Sequence, residues 1–194
     1  MDIDKVVFRF ATEDDVDSIL AVYAQYIDTS ITFEYVLPSH EEFSKRMRDI
    51  ISFYPYIVAL YDGQIIGYAY SHRAFERIAY QWDVEASIYI ARDFCGQGIG
   101  KRMYRRLIEL SKLQNIHIIY AKITRPNDSS EALHTAMGFE LISEFEKCGY
   151  KNGEWLGIVW YERRLCGSEA EPKPLLSVHA LPEDKVCAIM DSLC

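Results

Sequence analysis

The chain lacks any apolar run near the roughly 18 residues that a membrane-crossing helix needs. It also lacks a Cys-x-x-Cys pair: Cys95, Cys148, Cys166, Cys187 and Cys194 are odd in number and widely spaced. Neither a metal site nor a disulfide framework is expected, and reduced thiols in the cytoplasm are the simplest reading. Positive charge is scarce as well. Against 29 acidic residues stand 21 basic ones, a net charge of −8, which repels phosphate polymers and anionic lipid. Nucleic-acid and membrane partners are therefore not expected, although a local basic patch for a small anion survives. Met1-Asp2-Ile3-Asp4-Lys5 lacks the basic-then-apolar order of a secretory signal, in keeping with a cytoplasmic protein. No internal repeat is visible.

What is present fits one globular domain with a tail. The chain has 194 residues, 49% hydrophobic and 26% charged. That length buries roughly 70% of its unfolded surface without staples. Residues 1–166 alternate strand-like and helix-like segments. Val6 to Phe10 reads as a strand, and Thr12-Glu13-Asp14-Asp15 as a helix start followed by Val16, Ile19, Leu20, Tyr23 and Ile27 at helical spacing. Ser39-His40-Glu41-Glu42 reads as a capping box before Phe43, Met47, Ile50 and Ile51. Tyr56–Tyr61 and Ile65–Ser71 are strands joined by the hairpin dipeptide Asp62-Gly63. Val84–Ala91 is a strand, Ile99–Lys112 a helix, Ile116–Ile123 a strand and Ser129–Met137 a short helix. Phe139–Lys147 and Trp155–Arg163 form a closing strand pair, with Gly149 and Gly153 in the turn region. Residues 167–194 start linker-like and end with Val186, Ile189, Met190 and Leu193 spaced as a short amphipathic helix. That tail either docks on its own domain or binds a partner.

The most informative stretch runs from Ala91 to Arg102. Gly96, Gly98 and Gly100 lie between a strand and a helix, where bare backbone N–H groups and the helix dipole can hold a pyrophosphate. Two common phosphate loops fail by count. The glycines alternate instead of following G-x-G-x-x-G, and Cys95 and Arg102 stand where a P-loop needs Gly and Ser or Thr. Lys101, Arg102, Arg105 and Arg106 follow on the helix, and as a cluster they are expected to add phosphate contacts.

Cys95-Gly96-Gln97-Gly98-Ile99-Gly100 resembles the Gln/Arg-x-x-Gly-x-Gly/Ala loop of the GNAT superfamily of acetyl-CoA-dependent N-acetyltransferases, with Cys95 departing at the first position. Arg125-Pro126-Asn127 through Gly138-Phe139 resembles the other superfamily signature. Thr32-Phe33-Glu34, the run Arg77 to Ile90, Leu133-His134 and Gly149 to Trp155 resemble the phosphinothricin and methionine sulfone/sulfoximine acetyltransferases. The match spans about residues 6–163. It departs at Gly157, where such proteins tend to carry Asp.

The resemblance implies a mixed α/β fold: a mostly antiparallel twisted sheet flanked by helices, with a splayed parallel strand pair holding acetyl-CoA. It implies cofactor contacts from the backbone of Ile88, Tyr89 and Ile90, from Gly96, Gln97, Gly98, Ile99, Gly100 and Lys101, and from Asn127 on the pantetheine arm. Glu85 corresponds to the base that deprotonates the amine, and His134 replaces the usual Tyr near the departing sulfur, where an imidazole can move a proton or hold a water. Phe33, Glu34 and Tyr150 would wall an amino-acid pocket, and Arg77, with Arg73 behind it, would clamp a substrate anion. The expected acceptor is a small amino acid or analogue. A polyamine, an aminoglycoside, a peptide N-terminus, or a CoA-binding module without turnover remain as alternatives, and the resemblance leaves a homodimer open.

Overall fold

A computed structural model of the chain describes residues 2–167 and 171–192. Among the described residues, seven strands form one sheet: β1 (Val7–Phe10), β2 (Tyr56–Tyr61), β3 (Gln64–Arg73), β4 (Asp83–Ile90), β5 (Ile118–Arg125), β6 (Glu140–Lys151) and β7 (Glu154–Arg164). Their order is β1-β2-β3-β4-β5-β7-β6, and every pairing is antiparallel except β4 with β5. The helices are α1 (Val16–Ala24), α2 (His40–Ile51), α3 (Ile99–Leu113), α4 (Asp128–Ala136) and α5 (Glu183–Met190). The expected mixed sheet with one parallel pair is what the chain forms.

Period-two alternation sorts the strand side chains between two cores. Ile57, Ala59, Ala69, Val84 and Ala86 join Met103, Leu107 and Leu110 of α3. Tyr56, Val58 and Tyr68 turn the other way, to Val16 and Ile19 of α1 and Phe43 and Met47 of α2.

Local chemistry sets the boundaries. Asp15 closes a capping box with Thr12 and takes both terminal nitrogens of Arg9 at 2.6 and 2.7 Å, so a 3-10 turn precedes α1. Ser39 caps α2 through the Glu42 N–H at 3.2 Å, but the Glu42 carboxylate turns to Arg46 instead of back to the cap. Asp62 and Gly63 both have positive φ, 49° and 80°, as the tight β2–β3 hairpin requires. Asn152 and Gly153 repeat that device between β6 and β7, at 52° and 84°. Gly149, expected in this turn, lies inside β6 instead, because the strand continues to Lys151.

The tail lies along its own domain. Gln114 Nε2 donates to the carbonyls of Phe53 and Leu176, and the Val178 N–H to Phe53. Val178, Leu181 and Met190 are buried in the α3-side core, and Arg106 donates to the carbonyls of Met190 and Ser192. Leu193, Cys194 and residues 168–170 lie outside the described residues.

Candidate active site

β4 and β5 pair only over Asp83–Glu85 with Ile118–Tyr120, and then part. β3 stays on the other edge of β4 as far as Ile90, so beyond Glu85 the β5-facing edge of β4 has no pairing with β5. The gap opens into a cavity of about 480 Å³. Ile88, Tyr89 and Ile90 form one wall of it. Gly96, Gly98, Ile99, Gly100 and Lys101 form the end at α3, and Asn127 and His134 border it from α4.

The α3 end is built of backbone. Gly98 is the N-cap of α3 in the left-handed region, φ 85°, and no side chain caps the helix. First-turn N–H groups are thereby left for an external acceptor, where the dipole favours an anion. A Cβ on Gly100 would stand 3.1 Å from a Leu133 methyl, so glycine lets α3 and α4 approach. This donor set, with the Lys101 ammonium beside it, suits a diphosphate, and the apolar gap between the strands suits a slender chain leading from it. Gln97 does not border the cavity: its Nε2 donates to the Asp93 carbonyl at 3.0 Å and shapes the loop. Cys95 packs 3.6 Å from the Tyr26 hydroxyl, which bonds the Ile90 carbonyl.

The expected basic cluster disperses. Arg102 is held by the Ile3 carbonyl and Asp4, both at 2.9 Å, and Arg106 is buried against the Phe8 ring and the tail. Arg105 is exposed, leaving Lys101 as the only one of the four that borders the cavity.

Glu85 occupies the last paired position before the strands part. Its Oε2 lies 2.6 Å from Lys122 Nζ, with side-chain exposures of 16% and 36%. Lys122 borders the cavity, and Glu85 does not. The Lys122 ammonium also sits 4.7 Å over the Trp160 ring, whose residue is its register partner on β7.

His134 is buried, and both ring nitrogens are engaged. Nδ1–H donates to the Ser130 carbonyl at 2.7 Å, which leaves Nε2 to accept from the Tyr104 hydroxyl at 2.7 Å. Burial pushes the His134 pKa down, partly opposed by the Ser130 carbonyl. Burial, with the Glu85 charge, pushes Tyr104 well up. Near neutrality the pair is an uncharged imidazole and an uncharged phenol.

Two distant segments are locked together, and their residues Phe33, Glu34 and Tyr150, expected to wall the acceptor pocket, do not border the cavity. Lys151 Nζ is buried and donates to the carbonyls of Ile27 and Thr32, both at 2.6 Å. Tyr35 bonds the Tyr150 carbonyl, and Asn152 Nδ2 the Asp28 carbonyl at 3.1 Å. Phe33 lies over Gly149, where an added Cβ would stand 2.6 Å from the ring. Glu34 is paired with Arg46, and the half-exposed Tyr150 ring packs on Trp155. Gly157 faces the Phe145 carbonyl, 3.0 Å from where a Cβ would be, so the β6 irregularity leaves little room for an Asp.

The arginines expected as an anion clamp are elsewhere. Arg77 is exposed at the start of a 3-10 turn and does not border the cavity. Arg73 pairs with Val84 and faces the α3 side, opposite to Glu85, with Nε and Nη2 buried and without hydrogen-bond partners. Two residues with chemistry here escaped the sequence reading. Tyr104 looks like part of the apolar stripe of α3, and Lys122 like a solvated position on an alternating strand.

Residues 8–160 match the Acetyltransferase (GNAT) domain family. A phosphinothricin N-acetyltransferase of Alcaligenes faecalis is 34% identical over 160 residues, 81% of either chain. An L-methionine sulfoximine/L-methionine sulfone acetyltransferase of Pseudomonas paraeruginosa is 33% identical over 122 residues, 61% of this chain and 70% of its own. The crystal structure of a phosphinothricin acetyltransferase from Sinorhizobium meliloti in complex with AcCoA superposes with a TM-score of 0.85 at 34% identity, covering 91% of this chain and 98% of that one. A sheet whose one parallel pair parts over a glycine-lined helix start, and a family match across most of its length, lead to one conclusion: this chain belongs to the GNAT acetyltransferase family.

Proposed function

We propose that the chain transfers the acetyl group of acetyl-CoA to the amine of a small amino acid or analogue, of the phosphinothricin or methionine sulfone/sulfoximine type, with Glu85 as base. The observation that carries the reading is the carboxylate at the point where β4 and β5 part, ion-paired at 2.6 Å to Lys122 on the cavity border. Relatives named for those acceptors support the substrate class.

Acetyl-CoA supplies an activated acyl carbon when bound. The residues do the rest. Lys101 and the uncapped N–H groups of α3 hold the diphosphate, and Asn127 meets the arm between the strands. Glu85 takes a proton from the acceptor's ammonium, directly or through water, because only the neutral amine is nucleophilic; as the amine nitrogen bonds to the acyl carbon, the carbon–sulfur bond breaks and coenzyme A leaves as its thiolate. A backbone N–H in Ile88–Ile90, on the edge left without a β5 partner, donates to the developing oxyanion. His134 acts through Tyr104. With its Nδ1–H fixed by Ser130, it orients the phenol on the cavity wall, and the opposed pKa shifts of the two groups keep both uncharged, so the pair positions rather than exchanges protons.

The test is thiol release from acetyl-CoA with phosphinothricin, methionine sulfone, methionine sulfoximine, ordinary amino acids, spermidine and an aminoglycoside. Turnover is expected with the amino-acid acceptors, and Glu85→Gln should lower kcat by about 10²–10⁴-fold while acetyl-CoA still binds. Turnover of cationic amines alone would discard the acceptor class. A normal rate for Glu85→Gln would remove Glu85 as base.

A further inference from the structure

An amino-acid acceptor brings a carboxylate as well as an amine, and the arginines that sequence offered for it are misplaced. Arg77 is exposed away from the cavity, and Arg73 faces the other side of the sheet. Of other cations among the described residues, Arg46 is committed to Glu34 and Glu42, Arg125 to Glu131 and Glu144, and Lys151 to two carbonyls, and none of these three borders the cavity. Lys122 differs from all of these. It borders the cavity, is partly exposed there, and holds the one carboxylate that the reaction needs free.

The geometry points to Lys122 as the residue that binds the acceptor's carboxylate, making the Lys122–Glu85 pair a recognition unit for a zwitterion. The inference rests on the amino-acid reading above and names the residue that enforces it. In the structure each ion satisfies the other at 2.6 Å. An α-amino acid carries both opposite charges on one carbon. Entering between the two, it replaces a single ion pair by two charge-assisted contacts, ammonium to Glu85 and carboxylate to Lys122, with no change of net charge. The Trp160 ring beneath the ammonium holds Lys122 in place while Glu85 is released.

The unit has a kinetic consequence. Once Glu85 has taken the amine's proton its attraction for the acceptor falls, yet the Lys122–carboxylate contact persists and keeps the nucleophile aimed. It also has a consequence for selectivity. An amine without a carboxylate leaves Lys122 unpaired beside a second cation, so polyamines and aminoglycosides are disfavoured by like charge.

The experiment compares methionine sulfone with the amine left when its carboxyl group is removed, using wild type, Lys122→Met and Lys122→Arg. In Lys122→Met the KM for methionine sulfone should rise about 10–100-fold, the cost of one hydrogen bond to a charged partner. The preference for methionine sulfone over the decarboxylated amine, read as the ratio of their kcat/KM values, should fall by the same factor, the KM for acetyl-CoA should stay unchanged as the control for folding, and Lys122→Arg should recover most of the affinity. Equal losses for both amines in Lys122→Met would overturn the clamp, leaving Lys122 as a support for Glu85. A wild-type enzyme that acetylates no amino acid would overturn the underlying reading and the clamp with it.

Discussion

At the α3 end of the cavity a ligand meets backbone from one short stretch of chain, Gly96 to Lys101. The α1–α2 connection, which reaches the cavity at Ile31, is instead held by side chains from distant segments. Lys151 reaches carbonyls 124 and 119 residues away, Tyr35 a carbonyl 115 away, and Phe33 rests on Gly149. The first construction tolerates side-chain change as long as glycine conformation is kept, which is how Cys95 can occupy the first motif position. The second is specific to these residues.

The comparison breaks most visibly at Gly98. Asp there puts a side chain on a residue at φ 85° and a negative charge at the helix start. Acetyl-CoA affinity should fall by at least about 100-fold, since like-charge juxtaposition costs several kcal/mol. Equilibrium binding measured by calorimetry checks this, and unchanged affinity would refute the assignment of the loop.

A smaller effect, confined to the segments joined at Phe33 and Gly149, is expected from Gly149→Ala. The new methyl would stand 2.6–3.0 Å from the Phe33 ring, so the ring must move. Overpacking of this kind costs about 1–3 kcal/mol, which should appear as an acceptor KM raised about tenfold with the KM for acetyl-CoA unchanged. Equal changes in both constants would mean that the two constructions are mechanically one.

What the sequence made legible follows the same division. Strand and helix order came from alternation, 3.6-residue spacing and turn residues such as Asp62-Gly63, all of them local. The cradle was legible for the same reason. Lys122 and Tyr104 were not, because an alternating charge on a strand and an aromatic on a helix stripe have no local mark of function. They acquire it only when β5 brings Lys122 to Glu85 and α4 brings His134 to Tyr104. Arg106 failed in the opposite direction: its place in a basic run implied phosphate, while the folded tail claims it. Gly149 shows the same blindness at a turn, since only Phe33 explains why a strand position is glycine.

The weakest effect lies on the cavity border, at His134, and appears in stability. Burial holds its folded-state pKa below the ordinary 6.5. Above that value the imidazole is neutral in folded and unfolded chains alike, and its contribution to stability is fully present. As pH falls through the window from 6.5 down to the depressed value, the unfolded chain takes up a proton that the fold resists, and stability is lost. The loss per pH unit is at most about 1.4 kcal/mol from this one group. Asp15 also has a depressed pKa, but from the lower carboxylate value of 3.8, so its loss begins in more acidic solution. The thermal midpoint should therefore decline between pH 7 and 5 in the wild type. His134→Gln should start lower, having lost a buried ring, and decline less steeply over the same range. Parallel slopes in the two proteins would show that His134 takes up its proton in the fold as readily as in solution, and the assignment of the Tyr104–His134 pair to positioning would give way to proton exchange.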